Sequence, residues 1–441
     1  MNHKIIGVFI SLSLIVPIVP AGTRALQQNT HLEEGWLEEH NGIKILHLYG
    51  SYYDMGYQQG FLLASEIGES MRAQLHSFES KGYSYDKLLE IWDTMEPFLP
   101  DEYKEEMRGM ADGSGIPFDD ISVLTTIPAV FNVLVEDGCC EISLWGDATS
   151  DGSLYHVRSL DWSLDVSDPV TGTPLYENIV LIVRTPSIGY ASLVPDFAGS
   201  IGCWNGINEK GIVVGENTCI TNDTTFYGVC PWIRMRMVLD HASTSAEALQ
   251  ILVSNRTCGT NFILSDANQP VGYALDQSAH ISYVGTWDNP VEGLHPFWQI
   301  KDVVRRVPQY VYPRCAALEY HRYRYDPGGF TGFLLFACKK SYMFIAWTHY
   351  KALSDEIEKR YGSLNLNGTM ALLHDEYVGR TNPVMKMLRI TGYSSFQCLC
   401  QWVCRPATGD IVIRFASNHT LACYNPVHYF NMFELFRANP P

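Results

Sequence analysis

The sequence predicts an α+β fold in which two facing antiparallel sheets are covered by helices. Three observations point to it. Residues 26–138 carry apolar side chains mainly at helical spacing. From residue 139 the texture changes to short alternating runs closed by Gly, Asn and Asp turns, and no internal repeat interrupts either part. The chain divides accordingly into segments 1–25, 26–138 and 139–441.

Within the helical part, residues 53–67 (YDMGYQQGFLLASEI) have helical periodicity, and the small residues Gly56 and Gly60 let another element pack close. Asp101-Glu102 after Pro100 starts a further helix, which runs to the glycine-rich stop at 109–115. Beyond the junction, residues 153–160 (SLYHVRSL), 211–215 (GIVVG) and 261–264 (NFIL) read as strands. A helix interrupts at 242–254, where Ser243 or Thr244 can cap and Glu247 follows at capping-box distance. Strands return at 410–416 (DIVIRFA).

Composition excludes several function classes. With 46% hydrophobic and 18% charged residues the chain of 441 is globular, and 31 basic against 48 acidic residues leave a net charge of -17 with no basic run, so nucleic acid is not an expected partner. Lys4 followed by an apolar stretch at 5–19 and small residues at Ala21 and Ala25 reads as a secretory signal cut after one of those alanines. Being short and holding Pro17, the stretch is a poor membrane anchor, and no later one is long and apolar enough to span. The expected location is secreted or lumenal (extracellular, periplasmic or lysosome-like), where twelve cysteines can form disulfides. Asn222, Asn255, Asn367 and Asn418 head Asn-x-Ser/Thr triplets and are glycan acceptors if the host is eukaryotic.

The sequence has no G-x-S-x-G elbow, H-E-x-x-H, phosphate loop or G-x-G-x-x-G, so serine hydrolase, zinc protease and nucleotide readings lose ground. What remains is Asp137-Gly138-Cys139-Cys140, a turn and a thiol where helices give way to strands. Were the Gly138–Cys139 bond cut, Cys139 would carry both a thiol nucleophile and an α-amine, whose ordinary pKa of about 7.7–8.0 suits a base at neutral pH. Glycine before the cut leaves the carbonyl open to the neighbouring thiol.

Residues 137–162, DGCCEISLWGDATSDGSLYHVRSLDW, resemble the start of the mature chain in the isopenicillin N acyltransferase (acyl-coenzyme A:6-aminopenicillanic acid acyltransferase) family of N-terminal nucleophile cysteine hydrolases. The resemblance rests on the Gly-Cys pair, the hairpin Trp145-Gly146-Asp147-Ala148-Thr149-Ser150-Asp151-Gly152, and Arg158-Ser159-Leu160-Asp161-Trp162. Upstream, residues 50–60 and 109–115 are similar to the family's glycine patterns. Downstream, 206–211 followed by Gly215-Glu216-Asn217 resembles its G-x-N-x-x-G strand pair. The resemblance implies a four-layer αββα sandwich, with 26–138 a helical propeptide or light chain that stays with 139–441 after cleavage. It also implies Cys139 as nucleophile, with Arg158 favouring its thiolate and Asp161 holding the arginine fork or the terminal amine. Asn217 becomes the oxyanion donor. Substrates would be N-acylated small molecules, with no metal and no organic cofactor.

The sequence departs from the family at two places. Cys140-Glu141 follows the nucleophile where Ser or Thr is usual, which slows self-cleavage or makes Cys140 the nucleophile; spacing to Trp145 and Arg158 favours Cys139. An expected Thr-Asn-His group is replaced by Val307-Pro308-Gln309, and Asn382 lies too far along to fill the slot. Two rival functions stay open: a catalytically weakened binding protein of the same fold, or a papain-type cysteine endopeptidase using His156 or His295. Cys398, Cys400 and Cys404 favour disulfides or core packing over a metal, and Cys398 and Cys400 are expected on one strand face. The tyrosine-rich run at 319–330 reads as a substrate groove or a plain surface loop.

Overall fold

A computed structural model describes residues 35–134, 138–319, 343–380 and 397–440. The signal segment, Asp137, Asn382 and nearly all of the tyrosine-rich run lie outside them. Helix α1 (Tyr52–Leu62) starts where Ser51 accepts from the Asp54 backbone N–H while Asp54 reaches back, a reciprocal cap. Helices α2 (Ala64–Glu79) and α3 (Tyr85–Met95) follow, then α4 (Asp101–Ser114), ended by Gly115 at φ 74°, a left-handed conformation that glycine adopts freely. Helix α5 (Phe118–Leu134) completes the set before the junction.

The close packing expected at Gly56 and Gly60 is with α4, which answers with glycines of its own. A Cβ at Gly56 would stand 1.9 Å from the Glu106 carbonyl oxygen, and one at Gly109 would stand 2.0 Å from that of Tyr53. Neither backbone can yield without parting the helices. Gly109→Ala is therefore expected to cost about 3 kcal/mol, the upper range for overpacking, read as a lowered thermal or urea midpoint. A change under about 0.5 kcal/mol would refute the interlock.

Among the described residues, fifteen strands build two sheets. The larger has the order β1 (Trp36–His40), β2 (Ile43–Gly50), β5 (Ile179–Pro186), β6 (Ser192–Phe197), β7 (Asn205–Asn208), β8 (Ile212–Thr218), β9 (Thr260–Asp266), β10 (Val271–Gln277), β11 (Ser282–Gly285). The smaller runs β12 (Val303–Arg306), β3 (Cys140–Gly146), β4 (Gly152–Trp162), β13 (Gln397–Arg405), β14 (Asp410–Phe415), β15 (His428–Asn431). Pairing is antiparallel except that β2 runs parallel to β5, with Ile45 opposite Leu181 and Gly50 opposite Pro186. Helices α6 (Pro231–His241) and α7 (Ser245–Leu252) cover the larger sheet, and Thr244 with Glu247 makes the expected capping box. Helix α9 (Leu366–Arg380), paired with α8 (Met343–Lys359), covers the smaller one. The result is the four-layer αββα arrangement.

Residues 26–138 are more than helices. Trp36–His40 and Ile43–Gly50 are strands, and the second extends the sheet of the downstream segment. The two parts also share a buried ionic network: Arg236 Nη2 lies 3.1 Å from Glu106 Oε2 and its Nε 2.9 Å from Asp240 Oδ2. Tyr52 and Tyr103 donate to the same Asp240 oxygen at 3.0 and 3.1 Å. Among the described residues no helix is long and apolar enough to cross a membrane.

Candidate active site

The β3–β4 hairpin turns at Gly152 (φ 71°) and brings Glu141 opposite Arg158 and Cys140 opposite Ser159. Side chains alternate along a strand, so neighbours point to opposite faces. Glu141 and Arg158 point between the two sheets, 3.5 Å apart from Oε1 to Nε. Cys140 points the other way, into the apolar layer beneath α8 and α9. Cys139, just ahead of β3, belongs to the main core; it is 1% exposed and its Sγ donates to the Asp161 carbonyl oxygen at 3.9 Å. The two adjacent thiols thus enter different environments, and only Cys139 stands in the field of Arg158.

Arg158 is the hub. Burial alone would lower its pKa, but the facing Cys139, Glu141 and Glu216 outweigh that and hold it above the ordinary arginine value. Its Nη1 donates to Asn217 Oδ1 at 3.2 Å and to the Ser159 carbonyl at 2.8 Å. Asn217 in turn donates through Nδ2 to Asn261 Oδ1 at 3.0 Å, and Asn261 Nδ2 donates to the carbonyls of Val307 and Gln309 at 2.9 and 3.0 Å. The arginine fixes which way the Asn217 amide faces, so that one of its N–H groups goes to Asn261. Asn261 was within a predicted strand, yet nothing in the sequence marked it as the link between Asn217 and the 307–309 slot. Gln309 itself is buried, with neither side-chain amide atom hydrogen-bonded to the protein.

Asp161 occupies a different place from the one expected. It is three residues from Arg158 on β4, an odd spacing that turns its side chain to the opposite face, where Cys398 lies across the ladder. The carboxylate at the arginine is Glu141 instead. Asp161 meets the thiol through its backbone oxygen, which leaves the terminal-amine role as its open alternative.

A buried glutamate two residues from Cys139 needs room, and Gly215 on β8 supplies it. A Cβ there would stand 1.8 Å from Glu141 Oε1, while Ile263 N donates to Oε2 at 3.1 Å. Burial pushes the Glu141 carboxyl well above the ordinary carboxylate range, Arg158 opposes this, and Glu216 adds to it. Glu216 comes from the other face of β8, held by Trp232 Nε1 at 3.1 Å. Gly215→Ala is expected to lose about 1–3 kcal/mol, and Glu141→Ser in the same chain should restore most of it. Additive losses in a urea-unfolding double-mutant cycle would show that the two side chains do not compete for this space.

The remaining expected sites separate. His156 is fully buried, 2.9 Å from Ser265 Oγ through Nδ1, and burial followed by Arg158 lowers its pKa to about 3. It is a neutral structural group. His295 is exposed. Neither suits the endopeptidase alternative. Cys398 and Cys400 do not share a face: a register shift between them puts Cys398 with Tyr377 and Cys423, and Cys400 in the main core. Disulfides were expected, yet all eleven described cysteines are buried and no disulfide joins any two of them. Asn222, Asn255, Asn367 and Asn418 are all exposed.

A small cavity of about 20 Å³ lies between α5 and α6, lined by Leu124, Thr125, Pro128, Phe197, Trp232 and Ile233 among others. It holds roughly one water and abuts Trp232, the residue that holds Glu216. The wider groove of about 660 Å³, lined by Glu39, Lys44 and Glu69 among others, involves none of the candidate catalytic residues.

Comparison with known proteins bears on the stretch that builds β5 through most of β11. Residues 165–283 match the family model of acyl-coenzyme A:6-aminopenicillanic acid acyl-transferase. The chain resembles this acyl-transferase family, as the motifs implied. The matched stretch contains Asn217 and begins after Cys139, Arg158 and Asp161. Protein dcd1B of Dictyostelium discoideum is 26% identical over 286 residues, 59% of this chain and 55% of that protein. The acid ceramidase of Heterocephalus glaber is 22% identical over 242 residues, 48% of this chain and 58% of that one. The chain spans between half and two thirds of the length of these relatives. Among solved structures, the Caenorhabditis elegans N-acylethanolamine-hydrolyzing acid amidase ortholog aligns at 16% identity over 61% of this chain and 93% of that one, with a TM-score of 0.37.

Proposed function

We propose that the chain is the precursor of an exported N-terminal cysteine amidase or acyl-transferase acting on an N-acylated small molecule. One observation supports it: Arg158 interacts with the Cys139 thiol and donates to Asn217 Oδ1, so the proposed nucleophile and the proposed oxyanion donor share one cation. In the first reaction the Cys139 thiolate adds to the Gly138 carbonyl, the peptide nitrogen leaves as the Cys139 α-amine, and water hydrolyses the resulting thioester. Residue 139 then begins a new chain.

In each later cycle the thiol proton passes to that amine as sulfur attacks the substrate carbonyl. Asn217 donates to the oxygen that turns negative, and the amine returns the proton to the departing nitrogen. The acyl group remains as a thioester until water or a second amine takes it. The family description and the printed name of the ceramidase relative support an acylated amine as substrate.

The β2–β5 ladder supports the two chains staying together. Exposed Asn222, Asn255, Asn367 and Asn418 support glycosylation in a eukaryotic host. Edman sequencing of purified protein tests the reading: a sequence starting Cys-Cys-Glu-Ile-Ser is expected. An uncut chain whose thiols do not react with iodoacetamide would instead support a binding protein, which the Glu141–Arg158 pair favours because it offsets the charge available to the thiol.

A further inference from the structure

Cys140 meets His349 of α8 and Glu376 of α9 in the layer between the smaller sheet and its helices. Sγ, an imidazole nitrogen and a carboxylate oxygen all lie within 4.8 Å of one another. His349 Nε2 stands 3.2 Å from Glu376 Oε1, and the three residues are 0, 2 and 1% exposed. The surroundings are apolar, with Trp347, Tyr350 and Leu373 in the same cluster as Cys140.

We propose that Cys140 Sγ, His349 Nε2 and Glu376 Oε1 are three ligands of a zinc(II) site. Bond lengths of about 2.0–2.3 Å around a tetrahedral ion put ligand atoms roughly 3.3–3.7 Å apart, so the histidine–glutamate separation already sits near a tetrahedron edge. Thiolate and imidazole together select zinc over magnesium or calcium, which take oxygen ligands. Charge points the same way: one dication cancels a thiolate and a carboxylate, and a neutral site is what an apolar layer tolerates. Coordination releases the Cys140 proton to solvent and makes no other covalent change.

The same groups are also a nucleophile, a base and an orienting carboxylate. A fully buried thiol under two helices meets no substrate, whereas an ion needs only the space between three donors. The site differs from Cys398, Cys400 and Cys404, where a metal had been weighed, and Cys140 stands more than two hundred residues from the other two ligands in sequence. Bound zinc would tie α8 and α9 to the first residue of β3, next to Cys139, making it a positioning device for the cleavage junction.

The test uses the full chain carrying Cys139→Ala, so that the neighbouring thiol neither cuts nor binds metal. After chelator dialysis the protein is titrated with cobalt(II) alone. One equivalent is expected, with tetrahedral ligand-field bands and a thiolate-to-cobalt charge-transfer band, both erased by one equivalent of zinc. Cys140→Ser should remove the charge-transfer band. Glu376→Gln, isosteric and so the safer variant for folding, should keep it while weakening cobalt at least 10-fold. Substoichiometric cobalt, no charge-transfer band in the parent, or unchanged affinity in the folded Glu376→Gln protein overturns the proposal.

Discussion

Cys139→Ala is expected to yield one uncut chain where the unmodified protein gives two, and to lower amide turnover on the order of 10³-fold or more. Of the two adjacent thiols only Cys139 stands in the field of Arg158, and Cys140 cannot replace it because strand alternation turns it beneath the helices. Denaturing gels report the cut, and mass spectrometry locates it. Arg158→Met should slow both cleavage and turnover by about 10²-fold, since the cation favouring the thiolate and orienting Asn217 is lost. If Cys139→Ala still produced a fragment starting at residue 139, the thiol would not be the cleaving group.

The second large effect concerns stability. Glu106 lies in α4 with no exposed surface, facing Arg236 at 3.1 Å and Arg184 at 3.6 Å from two other elements. Removing it leaves two buried guanidinium groups, of which Arg236 keeps its ion pair with Asp240 while Arg184 loses its pair with Glu106 and keeps only the more distant fields of Asp240 and Asp196. Breaking one side of a buried ionic network costs about 3–5 kcal/mol. That is a large part of the roughly 5–15 kcal/mol typical of whole domains. Glu106→Ala is expected to show this loss in urea unfolding at constant slope; a loss below 1 kcal/mol would mean that water or relaxation reaches the network.

Strand and helix periodicity carried much of the fold, because alternation and the 3.6-residue repeat are local signals. All but Gly211 of residues 211–215 fell within β8, residues 261–264 fell within β9, and Thr244 and Glu247 made their cap. The strands at 36–50 were missed: β2 is buried through a partner, β5, about 130 residues away, and no local pattern announces a parallel edge. At the site, Cys139, Arg158 and Asn217 were readable from motif order. The partner of Arg158 was not. Counting along β4 puts Asp161 on the face opposite Arg158, and only the cross-strand register shows that Glu141 of β3 stands opposite the arginine. Gly215 shows the same limit from the other side, since its lack of a side chain matters only against a residue of the facing sheet.

The parallel ladder between β2 and β5 has a consequence for the order of events. Before the proposed cut, these strands find each other within one chain, at the high effective concentration that a covalent tether provides. After it, the same pairing would be a bimolecular reaction between a fragment lacking most of its sheet and one lacking a sheet edge and its buried acid Glu106. The native state is therefore reached most readily by the uncut precursor and is retained afterwards by its barrier to opening. Refolding of the denatured, cut protein should then depend on protein concentration, whereas the uncut Cys139→Ala chain should refold at a rate independent of it.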